Sequence, residues 1–330
     1  MGEEQQAPQP PVAEPPARPS LPPGLRVAFY LLLIIVVLHF GSAALIQLLD
    51  PDLARALAAA ATPAELEALQ ATIPFALVLL IQCLLAPVVL AATWFLLQRF
   101  ERRSLADVGF RLPGGAGRQA VIAVAGVGAL AVIWLLFTSV VAELRFTGWA
   151  EPFAGGDGLR PLGGWGPLPL YLAGFLVAAG LEELIFRGYV YSTLCERLSW
   201  VNAAGISGVL WVVLHAGNPE LGAIGLINTF LLALSLAILR QQTGSLWAAT
   251  ICHGTWNFMI GCVLSLPVSG LEVYPLFTVE VAGEEAITGG AYGPEGSLLL
   301  TALLLPVVAV LAYLLIDGQG PEDADADRPI

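Results

Sequence analysis

Residues 168–191 read LPLYLAGFLVAAGLEELIFRGYVY, a run long enough as a helix to cross a hydrocarbon layer roughly 30 Å thick, yet it carries Glu182, Glu183 and Arg187. Each ionisable group near the centre of a span costs roughly 2.5–3.5 kcal/mol on insertion scales, so each needs a partner or a function. On a helix Glu183 and Arg187 lie four residues apart, in the favourable acid-before-base order, and can neutralise one another. Glu182 lies roughly 100° further round and has no intrahelical counter-ion. An unpaired carboxylate among apolar side chains is the kind of group that moves protons near neutral pH. An ion-pair cluster that only joins helices remains open from this stretch alone.

The surrounding chain makes the stretch one span of several. Of the 330 residues, 57% are hydrophobic and 12% charged, and the mean hydropathy is +0.78, outside the balance of a soluble domain. Further apolar segments run from Val27 to Leu49, Ile73 to Leu97, Ala120 to Val141, Ala203 to Ala216, Leu221 to Leu239, Leu246 to Leu266 and Ser297 to Ile316. The expected fold is therefore all-α, a polytopic transmembrane bundle of about eight spans in the lipid bilayer. Residues 1–24 are proline-rich and without hydrophobic period, which predicts a disordered tail. Ser42-Ala43-Ala44 has the look of a leader cleavage site, but the proline-rich segment before it and the length of the run favour an uncleaved helix. Residues 25–167 then hold the first spans, 168–266 a functional core, and 267–330 an acidic loop, the last span and an acidic tail. The stretch from Asp50 to Gln70 suits a polar surface helix.

Charge sets orientation and excludes several classes. Arg99, Arg102, Arg103, Arg111 and Arg118 crowd the loop before the third span, which predicts a cytoplasmic loop and places both termini in the cytoplasm. The loop with Glu272, Glu280, Glu284, Glu285 and Glu295 then falls outside. A net charge of −12 opposes nucleic-acid binding, and the absence of lysine excludes a Walker lysine and Schiff-base chemistry. The cysteines at 83, 195, 252 and 262 lack C-x-x-C spacing and read as small apolar side chains. A lysine-free, proline-rich composition suggests a bacterial inner membrane protein.

Two other spans carry polar groups at helical spacing. Residues 211–219 read WVVLHAGNP, with Trp211 and His215 four apart, and residues 249–260 read ATICHGTWNFMI, with His253 and Asn257 four apart. Two neighbouring donors aimed at one point can stabilise an oxyanion. His39, the third histidine, has no polar neighbour at such spacing.

E-E-x-x-x-R, W-x-x-x-H and H-x-x-x-N, in this order on separate spans, resemble the CPBP family of intramembrane proteases, comprising CAAX prenyl endopeptidases of the Rce1 type and bacterial Abi relatives. The segment LADVGFRLP before the third span is similar to the family's lead-in. The second motif usually begins with phenylalanine, where this chain has Trp211. The resemblance implies an endopeptidase acting on a peptide or membrane-protein substrate. In it Glu182 and His215 activate water, His253 and Asn257 hold the oxyanion, and Glu183 and Arg187 set helix geometry or hold a substrate carboxylate. No cofactor is favoured. Glu182, His215 and His253 can alternatively be read as zinc ligands, although H-E-x-x-H is absent. Rival readings are a rhomboid-like serine protease using Ser207 and His253, and a transporter or non-catalytic scaffold. Substrate identity and oligomeric state are not encoded in any motif.

Overall fold

The computed structural model describes residues 21–70, 72–112, 114–150 and 166–318; the proline-rich and acidic tails expected at the two termini lie almost wholly outside the described residues. Helix α1 (Pro23–Leu49) is followed by short α2 (Pro51–Ala59) and α3 (Pro63–Gln70), then α4 (Phe75–Leu96) with a π-helical end at Leu97–Glu101, and α5 (Ala116–Val141). Helix α6 (Leu168–Glu183) continues through a π-helical segment, Leu184–Val190, into α7 (Tyr191–Leu194). After it come α8 (Trp200–His215), α9 (Ala223–Thr243), α10 (Leu246–Phe258) with a π-helical end at Met259–Val263, α11 (Glu285–Thr288) and α12 (Leu298–Gly318).

Among the described residues six helices are long and apolar enough to cross a membrane and α8 is a shorter apolar helix, in keeping with the expected all-α membrane bundle. The expected boundaries shift for local reasons. Helix α8 begins at Trp200 rather than Ala203 because Ser199 caps it, its hydroxyl accepting from the Asn202 amide. The polar 50–70 stretch breaks into two helices, the first capped by the Asp50 carboxylate on the Leu53 amide.

The sequence reading contained no strand. Strands β1 (Glu143–Trp149) and β2 (Phe277–Ala282) form an antiparallel ribbon pairing Glu143 with Ala282 and Trp149 with Phe277. They join segments on either side of the functional core, a pairing no local pattern announces.

The bundle has two distinct ends. At one, Arg26 of α1 donates to Glu101 at 2.8 Å and to Glu196, Arg103 reaches both carboxylates at 3.2 Å, and the Tyr189 hydroxyl donates to Glu101. This network, buried at Arg26, Glu101 and Tyr189 and open to the outside at Glu196, fastens the start of α1 to the ends of α4 and α6. At the opposite end lie the ribbon and the loops around Asn218, Ser269 and Glu295. Chain direction alternates between the two, so the described residues begin and end at the arginine-rich end.

Candidate active site

Helices α6, α8, α9 and α10 meet around one polar centre. Glycine makes the α6–α10 approach possible: a Cβ on Gly254 would stand 3.0 Å from the Leu176 Cα. The π-helical segment follows Glu183 at once, and such segments recur at functional sites because they re-aim side chains and free a carbonyl. The Phe186 carbonyl, which accepts from the Tyr191 amide, also accepts from the Ser207 hydroxyl at 2.8 Å. Ser207 is buried in that role and does not line the cavity that His253 lines, and the hydrogen bond of His253 goes to Glu183.

Glu183 is fully buried. Its Oε1 accepts from Arg187 at 3.1 Å and from Nδ1 of His253 at 3.0 Å, so the intrahelical pair expected on α6 also recruits α10. Arg187 is closed in as well. It donates to the Ala233 carbonyl of α9 at 3.2 Å, and its guanidinium lies 4.4 Å from the Trp211 ring centroid. Arg187 is 1% exposed and is not among the residues that line the cavity.

Glu182 points the other way, into a cavity of about 680 Å³. The Trp211 indole N–H donates to Glu182 Oε2 at 2.7 Å. A phenylalanine, usual at this position in the family that the motifs resemble, has no such donor. His215 Nδ1 lies 2.9 Å from the Trp211 carbonyl. A carbonyl only accepts, so Nδ1 carries the proton and Nε2 presents a lone pair. Trp211 also touches both histidines, with ring centroids 4.6 Å from His215 and 5.4 Å from His253. Counting along the helices puts His215 deeper from the arginine-rich end than His253, and the Trp211 indole spans that difference. Glu182, His215, His253 and Asn257 all line this one cavity.

Among the described residues no three His, Cys, Asp or Glu side chains are grouped as a metal ion needs. Glu182 is engaged by Trp211, and the Nδ1 atoms of the two histidines by a carbonyl and by Glu183. These contacts orient the carboxylate and the two rings, and Glu182, His215 and His253 do not form such a group.

Sequence reasoning missed Glu295. It is 4% exposed, lines the same cavity, and accepts from Trp256 Nε1 at 2.9 Å, the Ser269 amide at 2.6 Å and the Ser269 hydroxyl at 2.5 Å. As one acid in a loop of glutamates, it carried no signal that set it apart. His39 is exposed on α1, beside only Phe40.

These observations define a polytopic helical membrane protein with a buried carboxylate and histidine centre opening on one internal cavity. Residues 164–259, which span α6 to α10, match the family model described as Rce1-like, type II CAAX prenyl endopeptidase Rce1-like, which supports the family resemblance carried by the motifs on these helices. The family is one of membrane endopeptidases and implies a protease. A comparison with curated proteins finds no match to the chain.

Proposed function

We propose that the protein is an intramembrane endopeptidase that hydrolyses peptide bonds by a metal-free glutamate mechanism. The observation that carries the reading is that Glu182, His215, His253 and Asn257, from three helices, line a single cavity around Trp211. Water held between Glu182 and the lone pair on His215 Nε2 loses its proton as its oxygen attacks the scissile carbonyl. The oxyanion that forms is met by the Asn257 amide and by His253. With Nδ1–H given to Glu183, His253 donates from Nε2 only as an imidazolium, a charge the Glu183 carboxylate opposes directly. The proton then passes to the leaving amine. A peptide or membrane-protein segment is the substrate, and the bilayer is the setting.

The test is cleavage of a fluorogenic peptide by the purified full chain in lipid nanodiscs. Glu182→Gln keeps the shape but cannot take a proton, so turnover falls by about 10²-fold or more. Ser207→Ala leaves turnover within about twofold, because Ser207 only satisfies a carbonyl. Dialysis against a strong chelator leaves activity intact. An active Glu182→Gln variant, or activity lost on chelation and restored by zinc, overturns the mechanism.

A further inference from the structure

We infer that Glu295 makes the ribbon end of the cavity a subsite for a cationic side chain, arginine or lysine, of the peptide substrate; the substrate identity rests on the peptidase reading above, the binding chemistry does not. Apart from the histidines, the ionisable side chains in the cavity wall among the described residues that carry charge are Glu182 and Glu295, with no arginine. Glu183 is neutralised by Arg187, whereas Glu295 makes no ion pair among the described residues. A carboxylate removed from water without a counter-charge costs several kcal/mol, which three hydrogen bonds offset only in part. An incoming cation supplies the missing charge where it is worth most.

The bonding geometry leaves room for it. Trp256 uses one acceptor direction of Oε1, while Ser269 supplies both donors to Oε2. A carboxylate offers about four acceptor positions, so one on Oε1 remains for an ammonium or guanidinium N–H. Next to it, the buried Tyr292 hydroxyl sits by Asn218, Thr229 and Ser269, all three in the cavity wall.

The position also suits specificity. Trp256, which holds Glu295, precedes Asn257 and follows His253 by three residues, about 4.5 Å along α10. An extended peptide advances roughly 3.3–3.6 Å per residue. A side chain anchored on Glu295 therefore belongs to a residue near the scissile bond rather than to a remote part of the substrate. Glu295 lies beyond the matched segment 164–259.

The test compares two peptides that differ only in one arginine or its neutral isostere citrulline, using the full chain in nanodiscs and quenching of tryptophan fluorescence as the binding readout. The wild type is expected to bind the arginine peptide at least about tenfold more tightly. Glu295→Gln, which retains the acceptor oxygen, is expected to bind both like the citrulline peptide, and Glu295→Asp to keep a preference. Equal binding by the wild type, binding of neither peptide, or an arginine preference that survives in Glu295→Gln overturns the subsite. If Glu295→Gln does not fold, the wild type and Glu295→Asp decide. Cleavage of the same peptides separates the two claims. Preferential binding without cleavage by the wild type sinks the peptidase reading and leaves the subsite, while cleavage of both peptides at equal rate and affinity does the reverse.

Discussion

Trp211 does three things with one side chain: its N–H holds Glu182, its face covers Arg187, and its edges touch both histidines. Trp211→Phe separates these roles, because a phenyl ring still covers the guanidinium but cannot donate. A hydrogen bond to a charged group contributes about 1.5–3 kcal/mol, so kcat is expected to fall roughly ten- to a hundredfold with KM little changed and the melting temperature nearly kept. Steady-state kinetics beside a thermal melt check this; a matching loss of stability would mean the indole is only a packing element. The buried pair beneath it behaves differently. Removing one partner of such a pair leaves an uncompensated charge and costs about 3–5 kcal/mol. Arg187→Met is thus expected to lower the melting temperature sharply, and Glu183→Gln added to it to restore most of the loss without restoring activity, since His253 then lacks its carboxylate. A double variant no more stable than Arg187→Met would show that the guanidinium stabilises through Trp211 and Ala233 instead.

At the scale of helices, close approach is set by where a side chain is missing. Gly254 faces the Leu176 backbone, with its Cα at 3.0 Å and its amide nitrogen at 3.1 Å from an added Cβ, while Gly174 faces only the Leu79 side chain at 2.6 Å. Gly254→Ala must push α6 from α10 and so draw Glu183 from His253, at a cost of about 1–3 kcal/mol and most of the activity. Gly174→Ala is expected to be rescued by Leu79→Ala, whereas Leu176→Ala does not rescue Gly254→Ala, as paired melts would show. Equal rescue in both cases would place the crowding in side chains. The same scale explains what could be read in advance. The spans were legible because apolar length is a local property, and the E-E-x-x-x-R and H-x-x-x-N spacings put side chains on shared faces. The ribbon and Glu295 depend on partners more than a hundred, or tens of, residues away. The π-helical segment that extends α6 past Glu183 leaves no mark in hydropathy, and neither does the network of Arg26, Glu101 and Glu196.

Over the whole molecule, the two helices that carry the histidines are also the short ones. Helix α8 has 16 residues, about 24 Å, and α10 with its π-helical end has 13 and 5, about 27 Å, against a hydrocarbon thickness of roughly 30 Å. A bilayer meeting short helices thins or admits water locally. His215 closes α8, and the polar wall residues Asn218, Ser269 and Glu295 all belong to connections at the ribbon end. Water and substrate are therefore expected to enter from the ribbon end, opposite the end at which the described residues begin and finish, rather than from the side of the arginine-rich loops. Asn218 is the reporter: it lines the cavity, and its amide donates to the Ser269 carbonyl at 3.1 Å. With Cys83, Cys195, Cys252 and Cys262, all free thiols, replaced by alanine, Asn218→Cys gives one site for a membrane-impermeant maleimide. Labelling is expected only when reagent is applied to the face opposite that on which a fused C-terminal reporter resides, and a bulky cationic peptide should slow it if the ribbon end is also the substrate's way in. Labelling from the reporter's own face would place the entrance among the arginines and reverse the path.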